Sequence, residues 1–353
     1  MAEAATSTPV APPEQLLRQL EFTVIRKLDG LLQGDYRTLW RGAGVDLADL
    51  REYQAHDDVR HIDWNVTARL QTPYVRQYLE DRDLNAWFLL DLSSSVDFGS
   101  ADVTKLAVST GFVATLARVI TRHGNRVGAL FYGSPVSAGP RRADLPLSGA
   151  GSRTAPAAGP RVFGMLPARA SRLHVLELLQ RMRVPQLTPE AGSHAGTALA
   201  ELLHAAESTI KRRGLVFVVS DFISEPGWLP ALSRLARRHD VVAVRLWDPL
   251  EMALPDVGLV TLEDAETGEQ LFVDASDPDF RERYATLAEA HEAALLQSLA
   301  ASGADVLELA TDDDLLDTLM RFTDLRKQRE RLKAPLRFPS TLRRAALMTE
   351  AAP

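Results

Sequence analysis

The sequence predicts an α/β protein with a three-layer, doubly wound and mainly parallel sheet. Short apolar runs alternate with helical segments along most of the chain, which is the pattern of βαβ units joined by right-handed crossovers. The runs that begin at Ala86 and Leu215 are apolar throughout, as expected of strands buried on both faces. Each run leads into an aspartate, Asp91 and Asp221 respectively. Ligands of open α/β sheets bind beyond the carboxyl ends of the strands, so we expect the functional site there.

The other elements follow from the period of the apolar residues. Apolar residues cover more than one stripe of the segment from Val103 to His123, so this helix should be mostly buried. Gly303 is a predicted C-terminal stop, and Thr311 is predicted to cap a helix whose first turn is Asp312 to Asp314. We predict further strands at 126–132, 240–247 and 306–309, a hairpin of 259–262 with 270–273, and further helices at 173–182, 197–212, 230–238 and 280–301.

Composition divides the chain into four parts. Residues 1–13 are rich in Ala, Thr and Pro and are predicted to be disordered. Residues 14–82 hold a helix and a segment of interleaved charges and aromatic side chains, and residues 83–325 form the sheet domain. Residues 133–159, rich in Gly, Ser, Pro and Ala, are a predicted flexible insert, and residues 326–353 are a predicted basic tail.

Net charge, cysteine content and the length of apolar segments exclude several classes of protein. The net charge of -7 argues against nucleic acid as a partner, because phosphate binding needs a basic face. Cysteine is absent, which excludes disulfides and thiolate metal sites and fits a reducing compartment. No apolar segment approaches the roughly 18 residues that span a bilayer, and no signal-peptide core is present. We therefore expect a cytoplasmic protein without a membrane span.

Five side chains are predicted to form a metal site at the carboxyl edge of the sheet: Asp91, Ser93, Ser95, Thr197 and Asp221. The aspartates end two strands, the serines follow the first strand, and the threonine follows a glycine-bearing loop. Carboxylates and hydroxyls are hard oxygen donors that suit Mg²⁺, Mn²⁺ or Ca²⁺ rather than zinc. Two negative charges would neutralise one divalent cation.

Simpler explanations exist for each of these residues alone. A single aspartate at a strand end is more often a helix cap or a loop anchor, and Ser93 and Ser95 could cap the next helix. The combination of all five residues favours the metal site. No phosphate-binding glycine loop and no nucleophile elbow is present.

The order of these residues resembles a known pattern. Asp-x-Ser-x-Ser, then a threonine after glycine, then an aspartate is similar to the metal-ion-dependent adhesion site of von Willebrand factor type A domains. The segment from Arg51 to Arg69 resembles the hallmark of the bacterial domain-of-unknown-function family number fifty-eight, so the likeness covers about residues 34–331. Three features depart from that family: His56 replaces a usual glycine, the 133–159 insert is long, and the membrane helices of many relatives are absent.

The resemblance implies a function. Members of this family commonly accompany MoxR-type AAA+ ATPases, so the resemblance implies a metal-dependent adaptor or co-chaperone rather than an enzyme. In adhesion sites of this kind an acidic side chain of the partner completes the coordination of the ion. A magnesium-dependent hydrolase acting on phosphoesters is the alternative, since carboxylates at strand ends also hold catalytic magnesium.

The charged segment 51–82 is expected to be architectural. Trp64 should be substantially buried, and Asp63, Arg60 and Arg69 should form paired contacts that fasten the segment to the sheet domain.

Overall fold

The computed structural model describes residues 12–20, 46–54, 62–79, 85–100, 103–134, 161–185, 196–265 and 268–322. The strands are β1 Asp46–Glu52, β2 Tyr74–Leu79, β3 Asn85–Asp91, β4 Arg126–Gly133, β5 Arg161–Arg169, β6 Leu215–Ser220, β7 Asp240–Trp247, β8 Leu259–Glu263, β9 Gln270–Asp274 and β10 Asp305–Ala310. The helices are α1 Pro13–Leu20, α2 Trp64–Leu70, α3 Lys105–Arg122, α4 Arg172–Met182, α5 Leu199–Thr209, α6 Trp228–Arg238 and α7 Pro278–Ser302. Residues 315–322 are also helical.

The central sheet has six strands in the order β10-β7-β6-β3-β4-β5. All neighbouring pairs are parallel except β4 with β5, which are antiparallel. Helices cover both faces, so the predicted three-layer, doubly wound and mainly parallel sheet is confirmed. Strand β5 was not predicted from the sequence. Most of its residues are half-buried or exposed because it lies at the edge of the sheet, so it lacks the all-apolar run of a central strand.

Two apolar cores lie on opposite faces of this sheet. One joins the sheet to α1, α3, α4 and the helical residues 315–322, and the other joins it to α5, α6 and α7. The centre of the first core is aromatic. The rings of Phe88 and Phe217 stack with their centroids 5.0 Å apart, and Phe112 approaches Phe217 edge-on at 5.8 Å. Neighbouring central strands thus each present a phenylalanine to one helix, α3.

Most helix predictions are confirmed. Helix α3 is buried along most of its length, as predicted from apolar residues that cover more than one of its stripes. Gly303 ends α7 in the left-handed region at φ 78°, which favours glycine. The predicted cap at Thr311 is wrong. The following helix begins later, at residue 315, and Asp314 accepts a hydrogen bond from the backbone N–H of Asp317.

The N-terminal elements divide into two groups. Helix α1 packs on the sheet domain through Leu17, which is buried in the first core. Strands β1 and β2 form a separate antiparallel pair, with α2 before β2. Trp64, the first residue of α2, is 68% exposed, so the prediction that it is buried is wrong. Asp63 is buried because it caps α2, accepting hydrogen bonds from two backbone N–H groups.

Several predictions lie outside the described residues. These are the disorder of residues 1–11, the turn at His56, the contacts of Arg60, most of the 133–159 insert and the basic tail 326–353. Gly133, where the predicted insert begins, is instead the last residue of β4. Among the helices in the described ranges, none has the length and apolar character needed to cross a bilayer.

The aromatic core provides a test of the fold. Replacing Phe217, which is fully buried, by alanine should lower the free energy of unfolding by about 3–5 kcal/mol, because it leaves a cavity between two strands and α3. Phe272→Ala is the matched control, since this phenylalanine on β9 is 79% exposed and its loss should cost far less. Urea unfolding of both variants measures the difference. Equal losses would contradict this assignment of the core.

Candidate metal centre

The carboxyl ends of β3 and β6 place the two predicted aspartates side by side. Leu90 of β3 pairs with Val219 of β6 in parallel register. Asp91 is the last residue of β3, and Asp221 comes one residue after the end of β6. All five residues of the predicted site are buried, although they lie in or beside loops. Buried polar side chains at a loop edge need partners, and the surrounding contacts show which partners they have.

Asp91 is at the centre of a network of hydroxyl groups. Its Oδ1 accepts hydrogen bonds from the backbone N–H of Ser93 at 3.0 Å and from the Ser93 hydroxyl at 2.7 Å. The Ser93 and Ser95 hydroxyl oxygens are 3.1 Å apart. The Ser220 hydroxyl donates to Asp91 Oδ2 at 2.7 Å and accepts from the N–H of Phe222. The structure therefore brings three of the predicted residues together and adds Ser220.

Thr197 reaches the same edge through its backbone and its neighbours. Its carbonyl oxygen accepts hydrogen bonds from the Ser224 hydroxyl at 2.7 Å and from the N–H of Glu225 at 2.8 Å. Ala198 donates its N–H to the hydroxyl of Tyr132 at the end of β4. The Thr197 loop is thus tied to the loop after β6, which carries Asp221. Its side chain is fully buried.

The charge of Asp91 lacks a cationic partner within the described part of the chain. The pKa of Asp91 is raised from 3.8 to about 6, chiefly because the carboxyl is buried and also because of the nearby negative charge of Asp221, while the hydrogen bonds of Ser220 and Ser93 act in the opposite direction. The residues that contact its carboxylate are serines, which carry no charge. A divalent cation beside Asp91 would favour the ionised form.

Asp221 differs from Asp91 because it forms an ion pair. The ammonium of Lys105 lies 2.9 Å from Asp221 Oδ2 and 2.6 Å from Glu251 Oε1. Burial lowers the pKa of Lys105, but its attraction to the two carboxylates outweighs this effect and the pKa is raised. The sequence analysis missed this lysine and this glutamate.

Two sequence signals could have found them. Lys105 is a cation in the first turn of a helix that is apolar on most sides, where the helix dipole disfavours positive charge. Asp248 and Glu251 have the spacing of a capping box, and the structure confirms that box after β7. Asp248 Oδ2 also accepts hydrogen bonds from the N–H of Ser100 at 2.8 Å and from the hydroxyl of Thr311 at 2.6 Å. These contacts join the loops that follow β3, β7 and β10.

The donor set fits a hard divalent cation. Two buried carboxylates and three buried hydroxyls lie on loops at one edge, and all offer oxygen. The carboxylate of Asp91 carries a buried charge that an ion would compensate, whereas that of Asp221 is shared with Lys105. Among the described residues no three His, Cys, Asp or Glu side chains form a cluster that could hold a metal, so the hydroxyls are essential to the predicted site.

Comparison with known proteins gives a family match. The model of the family described as "Protein of unknown function DUF58" matches residues 49–143 and 148–294. An uncharacterized protein of Mycobacterium tuberculosis and another of Mycobacterium bovis are each 35% identical to this chain over 340 residues. That match covers 93% of this chain and 98% of each relative.

Solved structures give weaker matches. An aerotolerance-related membrane protein from Bacteroides fragilis is 12% identical, with a TM-score of 0.41, over 69% of this chain and 98% of that chain. The protein BatB from Bacteroides thetaiotaomicron is 13% identical, with a TM-score of 0.40, over 70% of this chain and 99% of that chain. The VWA domain of SpRpn10 is 11% identical, with a TM-score of 0.34, over 67% of this chain and 94% of that chain. Structural similarity with TM-scores and identities this low gives no information about the candidate site.

Because the charge of Asp91 is buried, we predict that the stability of the folded protein depends on pH. Because folding raises this pKa from 3.8 to about 6, the folded state binds the proton more tightly, and stability falls as the pH rises through that interval. In the presence of chelator, Asp91→Asn should therefore be more stable than the parent by roughly 2–3 kcal/mol at about pH 7.5, and the difference should vanish near about pH 4.

Urea unfolding at several pH values measures this difference. The exposed residue Glu289, changed to glutamine, is the control for loss of a surface carboxylate. A difference between Asp91→Asn and the parent that does not change with pH would contradict the assignment.

Proposed function

This chain belongs to the DUF58 family of proteins of unknown function, and we propose that it is a protein-interaction module whose partner binding depends on a divalent cation. The residues proposed to hold Mg²⁺, Mn²⁺ or Ca²⁺ are Asp91, Ser93, Ser95, Thr197 and Asp221. The bound ion would supply positive charge at a coordination position left for a ligand from another protein.

One observation carries this proposal. Asp91 is a completely buried carboxylate, surrounded by serines and close to a second carboxylate. A buried charge without a countercharge is costly, so such an arrangement is stable only with a proton or a cation. The ring of hydroxyls supplies further oxygen ligands without adding charge, as a hard cation requires.

The chemistry of the site favours an acidic partner. Asp91 and Asp221 together neutralise one divalent cation, and the uncharged hydroxyls leave that ion attractive to one more carboxylate. We therefore propose that the partner offers an aspartate or glutamate side chain. The family resemblance adds a candidate for the complex, a MoxR-type AAA+ ATPase with which this chain would act as adaptor or co-chaperone. We propose that this occurs in the cytoplasm, a reducing compartment that a chain without cysteine fits.

The alternative, a magnesium-dependent hydrolase acting on phosphoesters, is our second candidate. Hydrolysis through a serine or threonine needs a hydroxyl activated by a neighbouring base. In the described part of the site, the hydroxyls of Ser93 and Ser220 both donate to Asp91, and no histidine ring contacts them. These hydroxyls are therefore suited to orienting a carboxylate.

The first test measures the ion alone. Isothermal titration calorimetry with Mn²⁺ should show binding to the parent protein, and Asp91→Ala should abolish it because one of two compensating charges is lost. Asp221→Asn should behave similarly, Ser93→Ala should weaken binding less, and Glu289→Gln should change nothing. Parent-like affinity in Asp91→Ala would remove the metal from the proposal.

The second test measures the partner. The purified MoxR-type ATPase from the same bacterium should bind the immobilised chain in Mg²⁺, and both chelator and Asp221→Asn should release it. Replacing the critical exposed acidic residue of the ATPase by its amide should also abolish binding. Binding that survives chelator and Asp221→Asn would show that the partner docks elsewhere.

A further inference from the structure

Lys105 is a fully buried lysine that projects into the candidate metal centre. Its side chain is 1% exposed, and its ammonium contacts one oxygen of Asp221 and one oxygen of Glu251. It is also 5.8 Å from the centre of the Phe98 ring. Burying an ammonium group is costly unless carboxylates compensate it, so this position is determined by its partners.

The position of Lys105 in the fold indicates that its charge is stabilised by the neighbouring carboxylates and not by its helix. It is the first residue of α3, where the helix dipole opposes a cation. Helix formation therefore does not favour a lysine there, whereas the two carboxylates do. Its backbone N–H is bonded to the carbonyl of Phe98, which fixes the start of the helix beside the loop that carries Ser93 and Ser95.

The two carboxylates that hold Lys105 differ in their surroundings. The side chain of Asp221 is 1% exposed, whereas that of Glu251 is 24% exposed and lies at the rim of the site. Glu251 is held in place by the capping box with Asp248. The ammonium can therefore release Asp221 and still keep a carboxylate partner.

We propose that Lys105 is an internal cation that competes with a divalent cation for Asp221, and that Glu251 holds the ammonium when it releases Asp221. This inference rests on the proposed function, because it concerns the same site. With Lys105 on Asp221, only Asp91 is wholly available to an incoming ion. With Lys105 on Glu251, both aspartates are available and the two added positive charges are matched.

The competition makes opposite predictions for the two members of one ion pair. Lys105→Met keeps the length of the side chain but removes the competing charge, so Mn²⁺ should bind more tightly by roughly tenfold or more. Glu251→Gln removes the alternative partner and commits Lys105 to Asp221, so Mn²⁺ should bind more weakly by a similar factor. A purely structural ion pair would weaken binding in both variants.

Calorimetry with Mn²⁺ alone tests this inference, and thermal unfolding in chelator and in Mn²⁺ gives a second readout. Lys105→Met should have a lower Tm than the parent in chelator, because Asp221 loses its countercharge. Mn²⁺ should restore that Tm by more than it raises the Tm of the parent. Glu207→Gln is the control, since it breaks an ion pair with Arg234 between α5 and α6 and should leave the affinity for Mn²⁺ unchanged.

The possible results separate the two proposals. Equal Mn²⁺ affinity in the parent and Lys105→Met overturns the competition but leaves the metal-dependent function intact. Binding by Lys105→Met and none by the parent supports the competition while contradicting an ion in the native site. No Mn²⁺ binding by either protein overturns both. If Lys105→Met does not fold, Lys105→Gln takes its place because it also removes the competing charge, and unchanged or weaker binding of Mn²⁺ in that variant overturns the competition.

Discussion

Two carboxylates buried at the ends of adjacent parallel strands are the constraint on which this edge of the molecule depends. Each must be compensated, because an isolated charge in a low-dielectric interior is costly. The two are compensated differently. Asp91 is surrounded by serine hydroxyls and has a raised pKa, whereas Asp221 is paired with Lys105. That asymmetry leaves a buried charge which a cation could balance, and it distinguishes the site from an ordinary set of loop anchors.

The loops around this constraint are joined by polar contacts across long stretches of sequence. Lys105 connects the start of α3 with the loops after β6 and β7. Asp248 connects the loop after β7 with Ser100 and Thr311, which follow β3 and β10. The candidate metal centre is therefore held by several loops at once, as a preorganised binding site needs to be. A change in the charge at Asp221 would directly affect the contacts that Lys105 makes with the loops after β6 and β7.

The N-terminal segment shows where inference from residue type failed. A tryptophan among interleaved charges suggested a docked, buried anchor, but Trp64 begins a short helix and is largely exposed. Asp63 caps α2 through two backbone N–H groups, a role that was not predicted from the sequence. Aspartate immediately before a helix is a local signal for an N-terminal cap. Whether an aromatic side chain is covered depends on surfaces that are distant in sequence.

The sequence by itself determined the class of fold and the central strands, and it predicted the five residues of the candidate site, because these inferences depend on patterns within short segments. A strand buried on both faces must be apolar, and parallel strands must present their carboxyl ends together. The edge strand β5 and the helix cap at residue 314 were not predictable in this way, since half-exposed and polar positions tolerate many patterns. Only the tertiary structure decided that Lys105 contacts Asp221, because 116 positions separate them and no local pattern records such a pair. Ion pairs across a sheet edge depend on which strands become neighbours, and that is a property of the packed chain.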